Sequence, residues 1–207
     1  MRQMKSRLLQ MKPLSVLNTI AEHYYRDAND FASRFDLLWE APAQLHKMGR
    51  IKSFIDLLMC CECALKCHVF LSRHAEAPRE VYCKVRKYGH NIGHLADYAT
   101  FLDDRSPYDH LKTNLGDFSV FLRYSLDAYE TFFPSYMDRK DVEVNYSTTI
   151  GNNPWVLEIR SNLNTLLSST QESFSGFVTD DLEALFTHEK QMKEFADSCL
   201  PCNQPRA

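Results

Sequence analysis

Apolar side chains recur every three or four residues along almost the whole chain, whereas strict alternation of apolar and polar positions is nearly absent. That period belongs to the α-helix, and it predicts an all-α protein. Ser15 stands where an N-cap belongs, ahead of a helix carrying Ile20, Tyr24, Phe31 and Leu38 and ending before Pro42. A second helix is predicted from near Pro42 toward His74, with Gly49 as a break or kink. Pro78 suits the first turn of a third helix, which Gly89 terminates, and Asn91 caps a fourth bearing Ile92, Leu95, Ala96 and Ala99. After the loop Asp103-Asp104-Arg105-Ser106-Pro107, the residues Leu111, Leu115, Phe118, Leu122 and Leu126 trace one face of a single long helix. It runs from about Tyr108 to Phe133 and stops at Pro134.

Val142-Glu143-Val144-Asn145-Tyr146 is the one short segment that reads as extended. Asn153 and Pro154 open a further helix through Trp155, Ile159, Leu163 and Leu166, and Thr179 caps a last one through Leu182, Leu185, Met192 and Phe195. Sequential helices with short connections fold as an antiparallel bundle, here of about five core helices with additional C-terminal helices. At 207 residues and 44% hydrophobic, the chain is long enough for one sizeable core. One helical domain over residues 1–200, with a flexible tail at 201–207, is therefore expected.

A formal charge of −3 and a pI near 6.2 give no overall attraction to nucleic acid or membrane, so any RNA contact must use a local patch. Arg79, Lys84, Arg86 and Lys87 against the single acid Glu80 supply one such segment, which also reads as a solvated helix face. No run approaches the ~20 apolar residues needed to cross a bilayer. Arg2, Lys5 and Arg7 make the N-terminus basic, but Lys12 and Pro13 interrupt the chain before a signal-peptide core forms. A cytoplasmic protein without a membrane partner is expected, and its seven cysteines, an odd number, are read as free thiols.

On a helical wheel at ~100° per residue, Ile51, Ile55, Leu58, Leu65 and Val69 share a stripe, with Glu62 in its middle. A carboxylate there must be paired, hydrogen-bonded or protonated, and Lys66, one turn on, is the simplest partner. Two readings stay open for Glu62: an internal brace to a neighbouring helix end or His90, or the wall of a polar pocket with Lys66, His90 and His94. Cys60, Cys63 and Cys67 fall on a second face beside Asp56, and with Cys83 they make a four-thiol metal set conceivable. Their helical spacing fits small core residues better, and no metal or other cofactor is expected. Cys199-Leu200-Pro201-Cys202 has dithiol spacing but no preceding strand to build a redox site. His90 and His94 lack the Glu that a zinc-peptidase helix places after its first His, and neither a phosphate-binding Gly-rich loop nor a Gly-flanked nucleophilic Ser is present.

Glu62, Leu65 and Lys66, followed by Lys87, Gly89, His90, Asn91, Ile92 and Leu95, resemble the HEPN superfamily of prokaryotic helical bundles. The shared pattern is a helix with a Glu and a Leu-Lys pair, then a Lys-x-Gly-His-Asp/Asn corner. It covers about a third of the chain. The resemblance implies a HEPN-like bundle in a defence or toxin-antitoxin setting, forming a homodimer through an apolar helix face. It also implies a protein partner such as a nucleotidyltransferase, or a nucleotide or RNA ligand. The ribonuclease branch of the superfamily uses an Arg followed four to six residues later by a His, paired across a dimer cleft; Arg105 and His110 match that spacing. Pro107 inside the motif, and its place ahead of the helix, depart from the family pattern. The expected function is therefore a non-catalytic binding or assembly module, with Glu62, Lys66, Arg86, Lys87, His90, Asn91 and His94 at its pocket. The alternative is a metal-independent endoribonuclease using Arg105 and His110.

Overall fold

The structure, a computed structural model, describes residues 14–41, 46–133, 144–175 and 179–199. Among them the chain is all-α, with eight α-helices, one 3-10 turn and no strand. Helix α1 (Val16–Trp39) starts at Ser15, whose Oγ accepts the Asn18 N–H at 3.2 Å, as its sequence position predicts. Helix α2 (Lys47–Ser72) starts at His46, whose Nδ1 accepts the Gly49 N–H at 3.0 Å. Gly49 thus belongs to the helix start instead of kinking its middle, and Pro42 lies outside the described residues.

Contacts along α1 and α2 fix their pairing as antiparallel. Tyr24 stacks on Phe70 with ring centroids 5.7 Å apart, Arg34 meets Asp56 at 3.0 Å, and Arg50 lies 4.0 Å from the centre of the Trp39 ring. As α1 numbers rise, α2 numbers fall. Helix α2 is the axis of the molecule: from Ser53 to Leu71 every residue except Met59 is buried. The stripe of Ile51, Ile55, Leu58, Leu65 and Val69 is therefore one of several buried faces, because neighbours surround this helix on all sides.

Helices α3 (Pro78–Tyr88) and α4 (Ile92–Tyr98) meet at a corner built as the sequence predicts. Pro78 occupies the first turn of α3, where a missing N–H costs nothing. Gly89 ends α3 at φ +60°, the one positive φ among the described residues, and its N–H reaches the carbonyls of Val85 and Arg86, both at 3.2 Å. Asn91 then caps α4 by accepting the His94 N–H at 2.8 Å.

The single long helix expected from Tyr108 to Phe133 is not formed. In its place stand α5 (Ser106–Leu115), a 3-10 turn (Val120–Arg123) and α6 (Ser125–Phe132). Gly116 ends α5, and Ser119 diverts the backbone by accepting the Phe121 N–H at 3.2 Å. The break lets Phe118 turn inward against Phe54, Trp155 and Phe132, at centroid distances of 5.2, 5.9 and 6.4 Å. Leu126, expected on the buried face, is 71% exposed. Pro134 lies outside the described residues.

The described part of the expected extended segment, Val144 to Tyr146, leads into a turn, where the Tyr146 carbonyl accepts the Gly151 N–H at 2.7 Å. Helix α7 (Asn153–Phe174) carries Pro154 in its first turn. Helix α8 (Leu182–Cys199) is capped by Asp181, not Thr179: the Asp181 carboxylate accepts the Glu183 N–H at 2.9 Å, and Thr179 holds the Asp181 N–H one step earlier. Helices α1 to α7 all contribute to one buried apolar cluster, against which α8 rests only Met192 and Phe195.

A Cβ placed on Gly89 meets no atom within 4 Å, so the cost of a side chain there is purely that of the backbone. Gly89→Ala is expected to lose about 1–3 kcal/mol of stability. Urea denaturation of the two proteins measures this, and equal midpoints would mean that the corner relaxes without strain.

Candidate functional site

Glu62 is 3% exposed and has no access to bulk water for its charge. Its two oxygens are divided between two donors: Lys66 Nζ donates to Oε1 at 2.5 Å, and His90 Nδ1 donates to Oε2 at 2.7 Å. Lys66 is itself 6% exposed and lies 5.5 Å from the centre of the Tyr24 ring, which adds a cation-π contact to the ion pair. The histidine side chain remains 56% exposed, so one end of it is gripped by a buried acid while the rest stands at the surface. Burial, followed by the nearby Tyr82 and Cys63, pushes the Tyr24 hydroxyl up to about 12, and it stays protonated at neutral pH.

The structure thus brings together Glu62, Lys66 and His90, three of the seven pocket residues expected from sequence. Asn91 is the cap of α4. His94 is exposed and packs on Tyr88 with ring centroids 5.5 Å apart. Arg86 and Lys87, in the last turn of α3, are exposed beside the corner. Of the other cations in the basic segment, Arg79 donates to the Ser198 carbonyl at 2.9 Å, and Lys84 sits 3.9 Å from the Tyr98 ring centre.

Arg105 and His110 face different neighbours. The Arg105 guanidinium donates to the carbonyls of Ala99 and Ala96, both at 3.0 Å, and so closes the C-terminal end of α4. His110 instead looks toward α7, with its Nε2 3.8 Å from Glu158 Oε1.

The central cysteines do not gather as a metal centre. Cys60, Cys61, Cys63 and Cys67 are free and buried, and burial pushes all four thiols well up, to about 12 for Cys60 and Cys63. Metal binding needs thiolates, which this environment disfavours. Cys83 is disulfide-bonded, which corrects the reading of all cysteines as free thiols. Among the described residues no group of three or more His, Cys, Asp and Glu side chains is placed to hold a metal. Cys199 is a buried free thiol, and Cys202 lies outside the described residues.

Sequence reasoning overlooked a second buried polar group. His68, 1% exposed, lies between Tyr108 and α7: the Tyr108 hydroxyl donates to His68 Nδ1 at 2.6 Å, and His68 Nε2 donates to the Leu166 carbonyl at 3.1 Å. The Tyr108 oxygen in turn accepts the Leu102 N–H at 3.1 Å. Burial lowers the His68 pKa to about 4, so the imidazole is neutral and its Nδ1 accepts from Tyr108. A polar residue between Cys67 and Val69, in the apolar last turns of α2, was the available signal.

Elsewhere, a cavity of about 490 Å³ opens between the starts of α1 and α3 and one side of α8, with Glu76, Arg79, Glu194 and Phe195 in its wall. Glu62, Lys66 and His90 are not part of it. No helix among the described residues is long and apolar enough to cross a membrane. Comparisons with protein-family models, curated proteins and solved structures find no match to the chain.

The buried groups can be tested by stability. Removing Glu62 alone, as Glu62→Leu, leaves the Lys66 ammonium uncompensated and is expected to cost about 3–5 kcal/mol, whereas Glu62→Leu with Lys66→Met recovers most of the loss. Chemical denaturation of the single and double variants reads the difference. His68 gives a pH dependence of definite sign. Its folded pKa, about 4, lies below the unfolded value near 6.5, so the unfolded chain binds the extra proton as pH falls through that window. Stability should therefore be complete above pH 6.5 and fall by about 3 kcal/mol from this group toward pH 4. A His68 NMR signal that titrates near 6.5 in the folded protein would contradict the assignment.

Proposed function

We propose that this chain is a HEPN-like helical module that binds a phosphate-bearing ligand of the RNA or nucleotide class without cutting it, in a defence or toxin-antitoxin setting. The observation that carries this reading is the α3–α4 corner, where Glu62 grips His90 through Nδ1 at 2.7 Å beside the exposed Arg86 and Lys87. With a net charge of −3, attraction to phosphate has to come from such a local group of cations. The exposed His94, packed on Tyr88 at an interplanar angle of 50°, adds an aromatic face of the kind on which a base stacks.

The same reading includes a homodimer. Phe121, Tyr124, Leu126 and Tyr129 are each more than half exposed along the 3-10 turn and α6, and they support an apolar face for self-association. Less supports the ribonuclease alternative, because Arg105 already uses two guanidinium nitrogens on the α4 carbonyls. A nucleotidyltransferase partner belongs to the proposal through the sequence resemblance alone.

Fluorescence polarisation with labelled single-stranded RNA tests the reading. Wild type is expected to bind at low salt, and Arg86→Ala/Lys87→Ala to bind more weakly. The logarithmic salt slope of the double variant should also fall by about 1.4, from two lost phosphate contacts. The RNA should stay intact in the presence of chelator. Cleavage by wild type but not by His110→Ala would replace the binding reading with the ribonuclease one, and no binding of RNA or of competing nucleotides at low salt would end it.

A further inference from the structure

The seam between α5 and α7 holds polar atoms that neither the corner nor the packing uses. His110 Nε2 is buried and has no hydrogen-bond partner, with Glu158 Oε1 3.8 Å away. Asn162 Oδ1 is also buried and without a partner. Trp155 crosses the seam, its indole N–H donating to Asn114 Oδ1 at 2.9 Å, and the Asn114 amide is held within α5 by donating to the His110 carbonyl at 2.9 Å. At ~100° per residue, Asn162 falls between Trp155 and Glu158 on the circumference of α7, and both of those residues meet α5. Asn162 therefore occupies the same flank, one turn beyond Glu158.

An imidazole nitrogen, a carboxylate and an amide oxygen on one seam form a donor set for a borderline divalent ion. Imidazole suits zinc, nickel and cobalt, and oxygen donors complete such a shell together with water. We propose that His110, Glu158 and Asn162 form a binding site for one first-row divalent metal ion, with zinc as the best match. Two donors on a tetrahedral zinc at ~2.1 Å stand about 3.4 Å apart. The 3.8 Å between His110 and Glu158 closes to that value by a small movement of Glu158, whose side chain is 66% exposed and free to move. The third donor is an amide, which is why no group of three His, Cys, Asp or Glu side chains marks the place. The site is independent of the α3–α4 corner, and it gives His110 a role on its own helix pair without Arg105.

The test uses chelator-stripped protein without an affinity tag, titrated with cobalt(II) and followed by visible absorption, then by competition with zinc. One equivalent is expected to bind with weak visible bands of nitrogen and oxygen coordination, and without the intense near-ultraviolet band of a cobalt-thiolate bond. Zinc should displace it and raise the melting temperature. Glu158→Gln, at an exposed position, and His110→Ala, verified as folded by circular dichroism, should each weaken binding by at least the about 10–100-fold that loss of an outer-shell partner causes. No saturable binding in wild type would overturn the proposal. So would a thiolate band, or affinity that is unchanged in Glu158→Gln.

Discussion

The whole arrangement depends on the burial of α2 from all sides. A helix with no solvated face cannot let its polar side chains reach water, so each one has to find a partner inside the protein, and three of them find it on another element. Asp56 takes Arg34 from α1, Glu62 takes His90 from the α3–α4 corner, and His68 takes Tyr108 from α5 and a carbonyl from α7. Apolar packing alone is tolerant of sliding and rotation between helices. Three polar contacts spaced along one axis are not, because a shifted helix would leave a buried charge or a buried donor unpaired. Polar groups that contribute little net stability thereby select one packing of the bundle.

The helix ends obey the same constraint. Helix α4 is only seven residues long, and most of its backbone groups belong to one end or the other. Asn91 serves its start, while Arg105 reaches back over the intervening loop to the carbonyls of Ala96 and Ala99. Arg73 closes a similar gap by donating to the Tyr98 carbonyl at 3.2 Å while lying 4.4 Å from the Tyr98 ring centre. Two arginines, Arg73 and Arg105, thus serve the carbonyls at the end of one short helix.

What the sequence made legible was whatever depends on local chemistry. Ser15, Pro78, Gly89 and Asn91 mark helix ends through their own backbone or side-chain preferences, and the structure places each at the end where it was expected. The Glu62–Lys66 pair was legible for the same reason, since helical spacing alone brings the two together. The errors arose where distant partners decide. Gly116 and Ser119 only permit a break; Phe118 makes it favourable by reaching Phe54 and Trp155, which lie far away in sequence. His68 was missed because nothing nearby in the chain announces Tyr108 or Leu166 as its partners.

Helix α8 shows where this selection ends. It has eighteen residues, of which only Cys199 is buried, and among the described residues its polar contacts to other helices, Thr19 with His188 at 2.9 Å and Arg79 with the Ser198 carbonyl at 2.9 Å, reach α1 and α3 and not α2. Phe195 also packs on Tyr82 of α3, with ring centroids 5.4 Å apart. Such a helix adds little to the cluster that defines the bundle, and local opening there exposes few apolar contacts. The corner carrying Glu62 and His90 is different, because its opening would take the His90 donor away from a buried carboxylate and leave one Glu62 oxygen unpaired inside the protein. The site is therefore held in place by the group whose exposure the fold tolerates least, and its surface histidine inherits that rigidity.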